Sequence, residues 1–76
     1  MPKWSPCKRR DFIRKLKRLG FEQPEPGGRH FYMRFGQFTL PIPSNKEFSV
    51  SQVKMLLKET EIGINQKISL EEWENL

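Results

Sequence analysis

The sequence predicts a small α+β domain, in which two helices cover one face of a three-stranded antiparallel sheet and a short helix follows. Residues 29–42 alternate between apolar and polar side chains around Gly36-Gln37, which is typical of a β-hairpin. Segments on both sides of the hairpin repeat apolar residues every three or four positions, which is typical of helices. A chain of 76 residues forms one domain with a modest core. Helices on the apolar face of the sheet would complete that core.

The first helix is predicted to begin at Ser5-Pro6. Serine accepts a hydrogen bond from a free backbone N–H, and proline suits the first helical position. Gly20 follows the last apolar residue, in the usual place for a left-handed cap. Between these ends, one helix face is formed by Phe12, Ile13, Leu16 and Leu19.

A short first strand is predicted at residues 21–23. Pro24 and Pro26 restrict it to an edge of the sheet, because proline has no N–H to donate to a neighbouring strand. Gly27 and Gly28 are predicted to form the turn into the next strand, where they also let another backbone approach closely.

The hairpin has the clearest local pattern in the chain. Gly36 at the first central position suits a type II′ turn, which pairs Phe35 with Phe38. This register collects the apolar side chains on one face, formed by Phe31, Met33, Phe35, Phe38, Leu40 and Ile42. The opposite face, which is predicted to be exposed, is formed by His30, Tyr32, Arg34, Thr39 and Pro41. A slip of one residue in one strand mixes the two faces, so the pattern supports the register.

A second helix is predicted after a loop at residues 44–48. Ser49 and Gln52 form a capping box at its start. Residues 62–64, Ile-Gly-Ile, are predicted to end it. Its buried face is formed by Val50, Val53, Leu56 and Leu57.

A further capping box marks the carboxyl end of the chain. Ser69 and Glu72 are predicted to begin a short helix that contains Leu70 and Trp73. We therefore divide the chain into a domain at residues 1–64 and a short helical extension at residues 65–76.

The composition excludes several kinds of site. Cys7 is the only cysteine and His30 the only histidine, so an internal disulfide and a Cys₂His₂ zinc site are excluded. No P-loop pattern is present, and no metal or cofactor is predicted. A free thiol suits a reducing cytoplasm. The basic N-terminus leads into no apolar stretch, and the apolar runs are too short to cross a bilayer, so we predict a cytoplasmic protein without membrane contact.

Positive charge is concentrated in the first half of the chain. Residues 1–38 contain ten Lys and Arg against three Asp and Glu, a net charge of +7, whereas residues 39–76 contain four Lys against six Glu, a net charge of −2. A basic half favours a polyanionic partner, either nucleic acid or an acidic protein surface. Arg10, Arg14 and Lys17 form a stripe on the far side of the first helix, which fits either an anchor for RNA phosphates or an ordinary solvated face.

His30 is the candidate for acid–base catalysis. An imidazole with a pKa of about 6.5 gives or takes a proton at cellular pH. RNA supplies its own nucleophile, the 2′-hydroxyl, so cleavage needs a base, an acid and cations near the phosphate. Candidate RNA contacts are Arg29, Arg34, Lys46 and, for stacking on a base, Tyr32. A lone exposed histidine is also common as an ordinary surface residue.

Four motifs then occur in order along the chain. They are Leu19-Gly20-Phe21 at the end of the first helix, Gly28-Arg29-His30 before the second strand, Pro41-Ile42-Pro43 at a strand end, and Leu56-Leu57-Lys58 in the second helix. In this order and spacing the chain resembles the HicA family of small toxins, roughly from Lys8 to Ile64. Many members have Ser before the histidine and a second histidine after the third strand; this chain has Arg29 and Pro43-Ser44-Asn45.

The resemblance implies a fold like that of double-stranded-RNA-binding domains, with the order α-β-β-β-α. It implies a toxin of a toxin–antitoxin pair that cleaves messenger RNA without a metal, with the Gly-x-His histidine, here His30, as the essential residue. It also implies a HicB-like antitoxin that binds the toxin and covers its active site. Two alternatives remain open: a non-catalytic RNA-binding module of the same fold, and a protein-interaction domain whose basic face meets an acidic partner.

Overall fold

The computed structural model describes residues 3–76. The elements are, in order, β1 (Cys7–Lys8), α1 (Arg9–Leu19), β2 (Glu25–Gly27), β3 (His30–Phe35), β4 (Phe38–Ile42), β5 (Glu47–Phe48), α2 (Val50–Ile64) and α3 (Leu70–Glu74). Strands β2, β3 and β4 form an antiparallel sheet, and β1 pairs with β5 in a separate two-stranded ribbon. The predicted α+β class, with two main helices, a three-stranded antiparallel sheet and a short terminal helix, is confirmed.

The predicted helix start at Ser5-Pro6 is wrong, because α1 begins at Arg9. The preceding residues, Cys7–Lys8, are extended and pair with β5, although residues 44–48 were predicted to be a loop. The N–H of Arg9 donates to the carbonyl oxygen of Lys46 at 2.9 Å, which continues this connection into the helix. Pairing with a distant segment therefore overrides the local helix-start signal.

The first strand of the sheet lies at Glu25–Gly27 and not at the predicted residues 21–23. Phe21 is instead buried, with its ring centroid 5.3 Å from that of Phe35 and 6.2 Å from that of Phe38. The following backbone contacts the sheet at one point, where the N–H of Glu22 donates to the carbonyl oxygen of Arg34. Strand β2 lies at an edge, as expected for a strand that contains a proline.

The hairpin formed by β3 and β4 agrees with the prediction. Phe35 pairs with Phe38, and Gly36 has a φ of 60° while Gln37 has a negative φ, the combination of a type II′ turn. Most of the predicted apolar face packs into the core, and three of its residues are fully buried: Met33, Leu40 and Ile42. Phe31 is the exception: at 44% exposed it lies at the end of the sheet under the guanidinium of Arg9, so its predicted burial is wrong.

Glycines let both main helices approach the apolar face of this sheet. Gly20 caps α1 with a φ of 118°, and a Cβ on it would lie 3.0 Å from a ring carbon of Phe35. Gly63 lies so close to the ring of Phe38 that a Cβ there would overlap the ring. The second helix ends within the predicted residues 62–64, since Ile64 is its last residue and Asn65, with a φ of 56°, caps it. Gly63 itself lies inside the helix.

The carboxyl-terminal segment packs onto the same core. Trp73 in α3 is only 4% exposed, and its ring centroid lies 5.0 Å from that of Phe12 in α1. Lys15 donates a hydrogen bond to the carbonyl oxygen of Trp73 at 2.7 Å and places its ammonium 5.1 Å from the indole centroid. Both predicted capping boxes, at the starts of α2 and α3, are present.

Candidate active site

His30 is the first residue of β3 and follows a two-residue turn. Gly28 and Arg29 form this turn, and it joins Gly27 to its cross-strand partner His30. Gly28 has a φ of 74°, a conformation that glycine adopts without steric cost. The turn thus lies one residue later than predicted. His30 itself is exposed, so a large substrate can reach its imidazole.

Gly27 is needed for packing rather than for the turn. The ring of Tyr32 lies directly over Gly27, and a Cβ on Gly27 would overlap two atoms of that ring. Tyr32 is half-buried by this contact, although it belongs to the exposed face of the sheet. Because Gly27 has no side chain, the ring of Tyr32 can pack directly against β2.

Substitution of Gly27 by Ala is expected to lower the free energy of unfolding by about 1–3 kcal/mol, because the added methyl group and the Tyr32 ring compete for one space. The measurement is urea denaturation followed by circular dichroism. In a Tyr32→Ala background the same substitution is expected to cost much less. Equal costs in the two backgrounds would show that the ring contact is not the cause.

Tyr32, Arg34 and Glu25 contact one another on the exposed face of the sheet. Arg34 donates a hydrogen bond to the hydroxyl of Tyr32 at 3.4 Å, and its guanidinium carbon lies 5.5 Å from the ring centroid. Its Nε is 3.8 Å from a carboxylate oxygen of Glu25. The interaction with Tyr32, above all the hydrogen bond to its hydroxyl, and then the carboxylate of Glu25 raise the pKa of Arg34. Arg34 is therefore a permanent cation that is oriented but still open to solvent.

The predicted RNA contacts fall into separate groups. Arg29, Tyr32 and Arg34 lie with His30 on or beside β3, whereas Lys46 lies with Arg10 in a cleft at the start of α1. Arg14 and Lys17 are exposed on the side of α1 that faces away from the core. Arg14 is 3.9 Å from Asp11 in an exposed ion pair, which is worth little in stability.

Sequence reasoning missed Arg9, whose guanidinium lies at the end of the sheet where β3 begins. Its Nε donates a hydrogen bond to the carbonyl oxygen of Pro43 at 3.0 Å, and its guanidinium carbon lies 5.3 Å from the ring centroid of Phe31. Phe31 follows His30 in the chain and pairs with Ile42, so Arg9 reaches the end of the sheet where His30 lies. No sequence signal shows that the loop after β4 folds back onto α1.

Cys7 lies in β1, before the helix, and is half-buried. Burial raises the pKa of its thiol, and this effect exceeds the opposing influence of the Lys15 charge. The thiolate is the reactive form of cysteine, so this environment does not favour a nucleophilic role.

Residues 3–76 contain neither a cluster of metal ligands nor a membrane-spanning helix. Within residues 3–76, no three His, Cys, Asp or Glu side chains lie close enough together to hold a metal ion. None of the helices in this range combines the length and apolar character needed to cross a membrane.

A protein-family comparison decides the family. The family model described as the HicA toxin of bacterial toxin–antitoxin systems matches residues 9–62, which is most of the chain. The chain belongs to the HicA toxin family. The matched region of this HicA toxin runs from the first residue of α1 nearly to the end of α2 and includes His30. No curated protein and no solved structure matches the chain.

Family membership makes this HicA protein a toxin of a toxin–antitoxin pair. The resemblance inferred from the four sequence motifs is thereby confirmed. Two glycines of these motifs have different structural roles. Gly20 permits close packing of α1 on the sheet, and Gly28 forms the turn before His30.

Proposed function

We propose that this HicA toxin is an endoribonuclease that cleaves messenger RNA with His30 as a general acid or base. The observation that carries the proposal is the placement of His30: an exposed imidazole at the end of a tight turn, with Arg29 beside it and Arg34 on the same sheet face. This arrangement offers a proton-transfer group and cations to a substrate that is too large for a closed pocket.

The chemistry needs a base, an acid and cations near the phosphate; His30 serves one of the two proton transfers and a water molecule the other. A base removes the proton of the RNA 2′-hydroxyl, the oxygen attacks the adjacent phosphorus, and an acid protonates the departing 5′ oxygen. His30 supplies proton transfer, which typically contributes about 10²–10⁴-fold to a rate. Arg29, next to His30, stabilises the added negative charge on the reacting phosphate, and Arg34, four residues along β3, contacts a neighbouring phosphate. Tyr32, fixed by Gly27 and Arg34, contacts a neighbouring base.

The proposed partner is a HicB-like antitoxin that binds the toxin and covers His30. Expression of the toxin alone is expected to arrest the growth of a bacterial host, and co-expression of its HicB-like antitoxin is expected to restore growth. A His30→Ala protein at the same cellular level is the control and should not arrest growth. Arrest by this variant equal to that by the wild type would contradict the proposed function.

A non-catalytic RNA-binding module is the alternative that the exposed cations also support. It predicts RNA binding without cleavage and no effect of His30→Ala. An interaction domain for an acidic protein predicts a stoichiometric complex and no affinity for RNA. A salt titration tests for RNA binding, because log K for single strands falls by about 0.7 per neutralised phosphate for each power of ten in salt. The cleavage assay then distinguishes the ribonuclease from the binding module.

A further inference from the structure

We propose that a basic cleft at the start of α1 binds the phosphate backbone of the RNA strand whose scissile bond lies at His30. This inference rests on the proposed ribonuclease function and names the surface that holds its substrate. The cleft, called here the α1 cleft, lies between the first turn of α1 and the loop after β4. Its lining residues are Lys8, Arg9, Arg10, Ser44, Lys46 and Glu47.

The charges of the α1 cleft favour a polyanion. Four of its lining residues are cations and one, Glu47, is a carboxylate. None of the four cations forms an ion pair with a carboxylate of residues 3–76, where the two ion pairs are Arg14–Asp11 and Arg34–Glu25. Uncompensated cations in a concave surface concentrate positive potential and attract nucleic-acid phosphates.

Other clefts on the described surface do not share this excess of cations. The cleft beside Cys7 and Trp73 has three cations and three carboxylates, which are Lys8, Arg14, Lys15, Asp11, Glu47 and Glu74. A cleft near the end of α2 has two lysines and one glutamate, Lys58, Lys67 and Glu61. Glu61 is already engaged, because its carboxylate accepts a hydrogen bond from the N–H of Ile68 at 2.7 Å. The α1 cleft therefore differs from the other two clefts in its larger excess of cations over carboxylates.

The loop that carries Lys46 is held in place before any ligand binds. The carbonyl oxygen of Lys46 accepts the N–H of Arg9 at 2.9 Å. The amide of Asn45 donates to the carbonyl oxygen of Glu47 at 2.6 Å and to the side chain of Gln52 at 3.0 Å, and accepts from Gln52 at 3.3 Å. Gln52 also belongs to the capping box of α2. A loop fixed in this way loses little conformational entropy on binding.

Arg9 extends the α1 cleft toward the end of the sheet where β3 begins. Its hydrogen bond to Pro43 uses one N–H of the guanidinium, which has four more to offer a phosphate. Phe31, over which the guanidinium lies, is 44% exposed and directly follows His30. Exposed aromatic rings beside cations are what single-stranded nucleic-acid sites use to stack bases and hold the backbone. Phe31 and His30 are consecutive in β3 and point to opposite faces of the sheet, so the proposed RNA strand passes from the α1 cleft over Phe31 and around the end of β3 to His30.

Two pairs of charge-neutralising substitutions test this path. The cleft variant is Arg10→Gln with Lys46→Gln, and the matched control is Lys54→Gln with Lys58→Gln on the exposed side of α2. Both remove two positive charges from exposed positions. Affinity for a fluorescently labelled single-stranded RNA is measured against salt concentration in a His30→Ala background, in which cleavage is expected to be much slower. Cleavage is measured separately with His30 present.

The cleft variant is expected to bind RNA about tenfold more weakly at low salt, and its salt slope is expected to flatten by about 0.7 per lost phosphate contact. Its cleavage should weaken through KM, while the single-turnover rate at saturating RNA stays near that of the wild type. The control should differ from the wild type by less than about twofold, because its charges lie off the proposed path.

The outcomes separate this proposal from the proposed function. Equal binding by the cleft variant and the control overturns the α1 cleft, and cleavage by the wild type would still support the ribonuclease. Selective weakening of the cleft variant with no cleavage by the wild type supports the cleft as a backbone site and overturns the ribonuclease. No RNA binding by any protein overturns both.

Discussion

Replacement of His30 by Ala is expected to lower the single-turnover rate of RNA cleavage by about 10²–10⁴-fold, the range that general acid–base catalysis contributes. The imidazole is exposed at the start of β3, where its loss removes a proton-transfer group without opening a cavity. The free energy of unfolding should therefore change by no more than about 0.5 kcal/mol. Rates are measured at saturating RNA, and stability by thermal unfolding.

Thr39→Ala is the matched control for this prediction. Thr39 lies on the same exposed face, on the neighbouring strand, where it pairs with Arg34. Its substitution should leave the cleavage rate within about twofold of the wild type, as is usual for exposed positions with no part in the chemistry. Unchanged cleavage by His30→Ala would refute the role of His30, and a large loss of stability would show that the residue is structural.

Replacement of Trp73 by Ala is expected to lower the free energy of unfolding by about 3–5 kcal/mol, as is usual for a buried tryptophan. Trp73 is 4% exposed and packs against Phe12, so its removal leaves a cavity between α1 and α3. Domains of ordinary stability have only about 5–15 kcal/mol in total, so the variant should be partly unfolded well below the melting temperature of the wild type. Urea denaturation followed by circular dichroism measures the change.

Glu74→Ala is the control for Trp73, because Glu74 is the exposed neighbour in the same short helix. It should change the free energy of unfolding by no more than about 0.5 kcal/mol. A loss of less than about 1 kcal/mol for Trp73→Ala would contradict the packing account, since a buried tryptophan typically costs several times more. Residues 65–76 would then behave as a separate appendage to the domain at residues 1–64.

The parts of the fold that were predicted correctly depend on local sequence. The turn at Gly36 and the alternation on either side of it fix the hairpin register within a few residues. The capping boxes at Ser49 and Ser69 are likewise complete within four residues each. Such features depend little on what the rest of the chain does.

The parts that were missed depend on contacts between distant segments. β1 and β5 are two residues each, too short to show any alternation, and they form only because the segments meet. Gly63 was interpreted as a helix breaker, but in the structure it lets α2 lie against Phe38. Phenylalanine favours strands, but Phe21 lies outside any strand and packs in the core.

In the candidate site, too, the features set by local sequence were predicted and those set by distant contacts were missed. The alternation of β3 correctly put His30, Tyr32 and Arg34 on an exposed face. Helical spacing grouped Arg10 with Arg14 and Lys17, whereas the structure puts Arg10 beside Lys46, from a loop distant in sequence. Spacing along one helix cannot show which of its residues meets another segment, so the α1 cleft was not predictable.

The most direct test of the central claim is an assay of the purified toxin on long single-stranded RNA in EDTA, with the product ends identified. The account predicts cleavage that leaves a 2′,3′-cyclic phosphate or 3′-phosphate and a 5′-hydroxyl, because the attacking oxygen is the RNA 2′-hydroxyl. Products that carry a 3′-hydroxyl and a 5′-phosphate, or RNA that is bound but left intact, would contradict it.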